Sequence, residues 1–233
     1  MSQDALKRQA AERAVELVEP GMKLGLGTGS TARRVVEAIA ERRERGELDG
    51  IVGVPTSSDT REYAEELGIP LATLDEEVHL DLTLDGADEV DANLELIKGL
   101  GGALLWEKIV ASATERLVIV VDDSKLVDRL GTRAPLPVEV VPFGWRTLLE
   151  PIRGLGAEPA LRRSAPGDAL ITDGGHYILD CTFPDGIADP LELEAALHAL
   201  PGVVETGLFL GLAETVVVGA PDATRVMRRG GAG

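Results

Sequence analysis

The chain has 233 residues, 44% hydrophobic and 27% charged, which allows one large domain or two modest ones with a substantial core. A formal net charge of −17 and only 3% aromatic residues argue against nucleic acid as a partner, because such binding needs clustered cations and stacking rings. Cys181 is the only cysteine, so no intrachain disulfide can form, and no stretch reaches the roughly 18 apolar residues of a membrane span. Together with Asp4, Lys7, Arg8, Glu12 and Arg13, which interrupt any apolar leader, these features predict a cytoplasmic protein with no membrane partner.

Residues 4–18 carry apolar side chains at helical spacing and end at Pro20-Gly21, which predicts an amphipathic helix. A short strand is expected over 22–26, followed by the turn Gly25-Leu26-Gly27-Thr28-Gly29-Ser30-Thr31. Ser30 or Thr31 is expected to cap the next helix, which runs to about Arg45 with Val35, Val36 and Ile39 inward. A buried strand over 51–54 and a helix capped by Ser58 or Asp59 come next. Strands over 80–84 and 117–121 flank a helix over 103–114. Strands alternating with helices of ten or more residues predict an α/β fold, an open and mainly parallel Rossmann-like sheet with helices on both faces.

The pattern changes near Gly131, where Pro135, Pro137, Pro142 and Pro151 crowd together. A helix over 145–155, strands over 169–172 and 176–181, a helix over 190–200 and a strand from Val203 describe a smaller inserted α+β domain. The expected division is 1–130 with 203–233 as the catalytic domain, and 131–202 as the insertion. The β-branched run 215–218 can return to the first sheet. The terminal Arg228-Arg229-Gly230-Gly231-Ala232-Gly233 is expected to be a disordered tail.

Three segments carry chemistry. In the glycine turn at 25–31, helix-start amides and the helix dipole suit an anion such as phosphate. It lacks the third glycine of a dinucleotide fingerprint, since Ser30 stands there, and it lacks the P-loop lysine. The alternative is a tight turn in which Ser30 or Thr31 only caps a helix. Asp85-Gly86-Ala87-Asp88-Glu89-Val90-Asp91 follows a strand directly, where ligand crevices of open sheets lie. It fails the EF-hand pattern at Ala87 and Val90, and a solvated turn is the alternative to catalytic use of Asp85 and Asp88. Lys98-Gly99-Leu100-Gly101-Gly102 leads to Glu107 and Lys108, which could equally be surface charges. Lysine is scarce, with five against 18 arginines, so Lys98 and Lys125 stand out as compact point charges. His79, His176 and His198 lack metal spacing with one another, and Cys181 reads as a buried thiol.

With these segments side by side, the chain resembles the type A ribose-5-phosphate isomerase family. The resemblance rests on 25–31, 85–89, Lys98-Gly-Leu-Gly-Gly-Ala103, Glu107-Lys-Ile109 and Asp123-Ser-Lys125. It extends to Pro135-Leu-Pro-Val-Glu-Val140, Thr172-Asp-Gly-Gly175 and Pro201-Gly-Val-Val-Glu-Thr-Gly-Leu-Phe209, and to the opening Gln3-Asp4-Ala-Leu-Lys7. It implies a cofactor-free, metal-free aldose–ketose isomerase acting on a pentose 5-phosphate through an enediolate, and a homo-oligomer, either dimer or tetramer. It casts Glu107 as the base, Lys98 as the group stabilising the enediolate, and Asp85 and Asp88 as helpers in ring opening and oxygen protonation. Around the substrate it places Lys7, Thr28, Gly29, Ser30, Thr31, Gly86, Ala87, Gly99, Leu100, Gly101 and Lys125. The family often has glycine where this chain has Leu100. A non-catalytic sugar-phosphate-sensing domain of the same fold is the rival reading, although binding alone has no need of the base and the lysine. A dinucleotide-dependent dehydrogenase is disfavoured by Ser30.

Overall fold

The computed structural model describes residues 2–165 and 167–230. In chain order the first elements are α1 (Gln3–Val15), β1 (Lys23–Leu26), α2 (Ser30–Glu44), β2 (Val52–Pro55), α3 (Ser58–Glu66) and β3 (Leu80–Asp85). Then come β4 (Glu89–Val90), β5 (Leu96–Ile97), α4 (Leu104–Ser112), β6 (Thr114–Asp122) and β7 (Leu136–Val140). The remainder is α5 (Leu149–Gly154), β8 (Glu158–Leu161), β9 (Arg163–Ala165), β10 (Asp168–Ala169), β11 (Tyr177–Thr182), α6 (Pro190–His198), β12 (Val203–Thr206), β13 (Leu208–Phe209), β14 (Ala213–Gly219) and β15 (Arg225–Arg228). Two compact units result: unit 1 is Met1–Ala87, Trp106–Lys125 and Gly211–Gly233, and unit 2 is Asp88–Leu105 and Leu126–Leu210.

Unit 1 is an open six-stranded sheet in the order β15-β14-β6-β3-β1-β2, parallel throughout except for the edge strand β15. Its strands are continuous apolar runs because both faces are covered. Leu24, Leu26, Leu82, Leu84, Val118, Val120 and Val217 pack with Ala10, Ala14, Val35, Val36, Ile39 and Ala64 of the first three helices. Val110 of α4 packs with Val54 and Leu80. A Cβ at Gly25 would lie 2.8 Å from the Val110 side chain, so glycine lets α4 approach the sheet closely. The α/β class and the mainly parallel open sheet are as the sequence predicts, including the return of β14 beside β6.

Two expected caps differ. The N-cap of α2 is Gly29, at φ 101°, rather than Ser30 or Thr31, because the turn needs a left-handed residue before the helix begins. The cap of α3 is Ser57, whose hydroxyl accepts the Thr60 N–H at 3.1 Å, rather than Ser58 or Asp59. At the C-terminal end, Arg228 pairs with Thr215, and Arg229 donates its backbone N–H to Glu214 at 2.9 Å. Those two residues belong to the sheet edge rather than to a tail, while residues 231–233 lie outside the described residues.

Unit 2 contains a four-stranded antiparallel sheet, β12-β7-β11-β8, and a three-stranded one, β13-β5-β4. Its core gathers Val138, Val140, Leu148, Ile152, Leu179, Cys181, Leu193 and Leu197. Burial pushes the Cys181 thiol up to about 12. The expected helix over 145–155 is a 3-10 turn, Trp145–Leu148, followed by α5. The expected strand over 169–172 is reduced to β10, because Thr172 turns back to bond His176. The proline-dense stretch hides β7, where Pro137 contributes its carbonyl to the Gly207 N–H at 2.7 Å.

Candidate active site

In unit 1 the expected site residues Thr28 to Thr31, Asp85 and Lys125 lie at or just beyond the carboxyl ends of the parallel strands β1, β3 and β6. After β1 the turn passes over the end of β3, where a Cβ at Gly27 would lie 2.1 Å from Asp85 Oδ1. Asp85, 1% exposed, accepts the N–H groups of Thr28 at 3.1 Å and Gly86 at 2.7 Å on that oxygen. Its carboxylate therefore fixes the turn. The Thr28 hydroxyl donates to Ser57 at 2.8 Å and lies 2.8 Å from Thr56 Oγ1 and 3.2 Å from Thr60 Oγ1. Thr60 in turn donates to the Gly27 carbonyl at 2.9 Å, and Thr56 to the Leu26 carbonyl at 3.0 Å.

Helix α2 starts from a glycine cap with no side-chain cap bond and no acid in its first turn. A helix start with open amides carries a partial positive charge. Lys7 nevertheless places its ammonium 3.0 Å from Ser30 Oγ, at that same positive end. A cation there is unfavourable until an anion joins it, so the chemistry of Lys7, Ser30 and the amides around Thr31 suits an anionic group. Lys125 follows β6 in a 3-10 turn (Asp123–Lys125), one strand along from β3 on the same sheet edge. Glu107 lies in the first turn of α4 and is only 3% exposed.

In unit 2, Asp88 Oδ2 accepts the Leu100 N–H at 3.0 Å, and its own N–H donates to Ile97 at 2.8 Å. Lys98 is 2% exposed, with its ammonium 5.4 Å from the centre of the Phe209 ring and its N–H donated to Gly207 at 2.9 Å. Gly99 sits at φ 99°, and a Cβ there would meet Leu104 Cβ at 2.7 Å. Leu100, the larger residue in this glycine run, has an ordinary φ and an exposed side chain, so the loop accommodates it without strain. Burying a carboxylate or an ammonium costs free energy, so Glu107 and Lys98 are retained against a penalty.

The acidic run at 85–91 thus divides by role. Asp85 ties down the phosphate-type turn and Asp88 the glycine loop, while fully buried Glu89 accepts the N–H groups of Gly131, Arg133 and Ala134 at 2.5–2.7 Å. Asp91 closes its own turn on Asn93 and Glu95. Sequence reasoning missed Thr56, Ser57 and Thr60. Their signal was a hydroxyl run at the carboxyl end of β2, the same position rule that marks the glycine turn after β1. Among the described residues, one group could share a metal ion, Glu194, His198 and Glu205 in unit 2, and it contains none of these site residues.

Comparison with known proteins identifies the family of the chain. The family model for ribose 5-phosphate isomerase A (phosphoriboisomerase A) matches residues 52–223. Ribose-5-phosphate isomerase A of Gloeobacter violaceus is 57% identical, covering 97% of this chain and 97% of that protein. The protein of the same name from Roseiflexus castenholzii is 54% identical over 95% of this chain and 94% of its own. A D-ribose-5-phosphate isomerase solved in complex with phospho-erythronic acid superposes with a TM-score of 0.95 at 41% identity, covering 98% of this chain and 100% of the other. Ribose 5-phosphate isomerase A from Methanocaldococcus jannaschii gives 0.92 at 40%, covering 97% and 100%.

Proposed function

The chain belongs to the ribose 5-phosphate isomerase A family and is an aldose–ketose isomerase of D-ribose 5-phosphate and D-ribulose 5-phosphate, and we propose that Glu107 moves the proton between the two carbons. Removing a proton beside a carbonyl needs a base held firmly and a positive charge where the oxyanion develops. Glu107 is the base because a helix fixes it, and Lys98 stabilises the enediolate. Asp85 and Asp88, with Gly86 and Ala87 between them, serve ring opening and proton movement among the oxygens. The 5-phosphate takes the α2 amides, Ser30, Thr31 and Lys7, with Lys125 as a further cation. Thr28 and Gly29 act through the turn they shape. Gly99, Leu100 and Gly101 present backbone to the substrate. The enzyme works in the cytoplasm as a homo-oligomer, a dimer in the simplest case.

The observation that supports this reading is the burial of Glu107 and Lys98, charges a sugar-phosphate sensor has no reason to bury. The test follows exchange of the substrate C2 proton with solvent deuterium, with EDTA present. Glu107→Gln keeps shape and removes basicity, and it should lower both kcat and exchange by about 10²-fold or more. Exchange that persists in Glu107→Gln and vanishes in Asp85→Asn makes Asp85 the base instead.

A further inference from the structure

Arg162 follows β8 in unit 2 and no part of the reaction described above uses it. Its backbone N–H is bound to the Ile178 carbonyl at 2.9 Å, and its carbonyl accepts Leu170 N–H at 3.0 Å. The guanidinium is seated on Asp180 of β11: Nε donates to Oδ2 at 2.9 Å and Nη2 to Oδ1, a bidentate pairing whose Arg162 side chain is 10% exposed. That leaves Nη1, which donates to two carbonyls of the glycine loop, Gly99 at 2.9 Å and Leu100 at 3.0 Å.

Consider what those bonds do to the loop. The Gly99 carbonyl and the Leu100 N–H are the two ends of one peptide plane. Arg162 holds the first and Asp88 Oδ2 the second at 3.0 Å, so that plane cannot flip. The next plane joins the Leu100 carbonyl to the Gly101 N–H. No peptide bond among the described residues is cis, so holding the carbonyl aims the N–H the opposite way, away from Arg162. A run with glycine at 99, 101 and 102 has many backbone states available, and glycine loses the most freedom when one of them is chosen. Two charged side chains, together with the Gly102 N–H donated to the Gly99 carbonyl at 3.0 Å, choose it here.

We propose that Arg162, oriented by Asp180, is a positioning residue for catalysis: it fixes the 99–101 backbone so that the Lys98 ammonium and the Gly101 N–H keep the direction the enediolate oxyanion requires. The inference rests on the assignment of the Lys98 loop to the oxyanion. Arginine is required because it must bridge a carboxylate and two carbonyls at once, which the single ammonium of lysine cannot do with the same geometry. A misplacement of about 1 Å in such a donor can cost up to ~10²-fold.

The test uses the full chain with Arg162→Ala, Arg162→Lys and Lys98→Ala, plus Arg153→Ala as a control. Among the described residues Arg153 pairs with exposed Glu150 and Glu158. Expected in both Arg162 variants is a kcat about tenfold or more below wild type with KM changed much less, and faster amide exchange at Leu100 and Gly101. Guanidinium below denaturing concentration should restore part of kcat to Arg162→Ala, where sodium chloride of equal ionic strength does not. Arg153→Ala should match wild type. If Arg162→Ala fails to fold, Arg162→Lys decides by the same kcat and exchange criteria. A kcat within about twofold of wild type, or a loss without faster exchange in the loop, overturns the proposal. Lys98→Ala separates the two layers: if it keeps wild-type kcat, the oxyanion assignment has failed. If it is inactive while Arg162→Lys is fully active, only the positioning role has failed.

Discussion

The two glycine turns are built from different materials. The turn before α2 is held by neutral hydroxyls, Thr28, Thr56, Ser57 and Thr60, with Asp85 on its amides. The loop at 98–102 is held by charges, Asp88 on one amide and Arg162 on two carbonyls, beside a buried Lys98. On the proposed reading a phosphate keeps its charge throughout the reaction, so the amides, dipole, hydroxyls and Lys7 bind it in ground state and transition state alike. An enediolate oxyanion exists only in passing, and the groups that meet it must be fixed before it forms. The difference predicts that damage to the first turn appears in KM and damage to the second in kcat.

The largest expected effect comes from Lys98→Ala. Loss of one preorganised oxyanion donor costs on the order of 10²–10³ in kcat, and KM should change far less. Steady-state kinetics in which KM rises while kcat holds would make Lys98 a phosphate anchor and erase the contrast between the turns.

Glu89 sharpens the comparison from another side, because it is a fully buried charge with no assigned chemistry. Glu89→Ala leaves three amides without their acceptor; the buried Gly131 amide alone costs ~1–3 kcal/mol, and the part-buried Arg133 and Ala134 amides, which water can reach, add little, for roughly 2–3 kcal/mol in all. Thermal unfolding should shift down by about 4–12 °C, at ~2–4 °C per kcal/mol for a chain of this size. Folded enzyme should retain its kcat. A collapse of kcat in well-folded Glu89→Ala would place Glu89 with Asp85 and Asp88 in the proposed chemistry instead of leaving it a purely structural acid.

That division marks the limit of what the sequence discloses. The parallel sheet was legible because its strands are apolar runs separated by helices with clear periodicity, and the glycine turn was legible because position after a strand gives it meaning. β7 was not, since Pro135 and Pro137 imitate a loop and only the partner strands reveal that Pro137 lends a carbonyl. β4, β5 and β13 have two residues each, too few to show a period. Among the proposed site residues, the types at 85, 88, 98 and 107 are visible in the chain, but not which acid binds which amide. Glu89 resembles Asp88 in sequence and differs only in what it touches. Arg162 lies 62 residues from Leu100, so no local pattern announces their bond.

Lys7→Ala should act next in size and on the other parameter. A hydrogen bond to a charged group is worth about 1.5–3 kcal/mol, so KM for ribose 5-phosphate should rise roughly 12- to 160-fold with kcat nearly intact. Raising ionic strength should weaken wild-type binding and leave Lys7→Ala less affected, because the exposed ammonium is what salt screens.

Ser30→Ala is the smallest change and the most discriminating. Among the described residues the Ser30 hydroxyl meets the Lys7 ammonium at 3.0 Å, and Ser30 is the first residue of α2 rather than its cap. If Ser30 were a cap, its loss would destabilise the helix by about 1 kcal/mol and lower the melting temperature. As a phosphate donor, it should leave the melting temperature unchanged, and one neutral hydrogen bond of about 0.5–1.5 kcal/mol predicts a rise in KM of roughly 2- to 12-fold. The backbone amides and dipole remain, so the site weakens without being lost. In the Lys7→Ala background the further effect of Ser30→Ala should be smaller than in wild type, since the two groups touch and are expected to couple. Strict additivity in that cycle, or a melting shift without a change in KM, would show that the hydroxyl serves the helix and not the ligand.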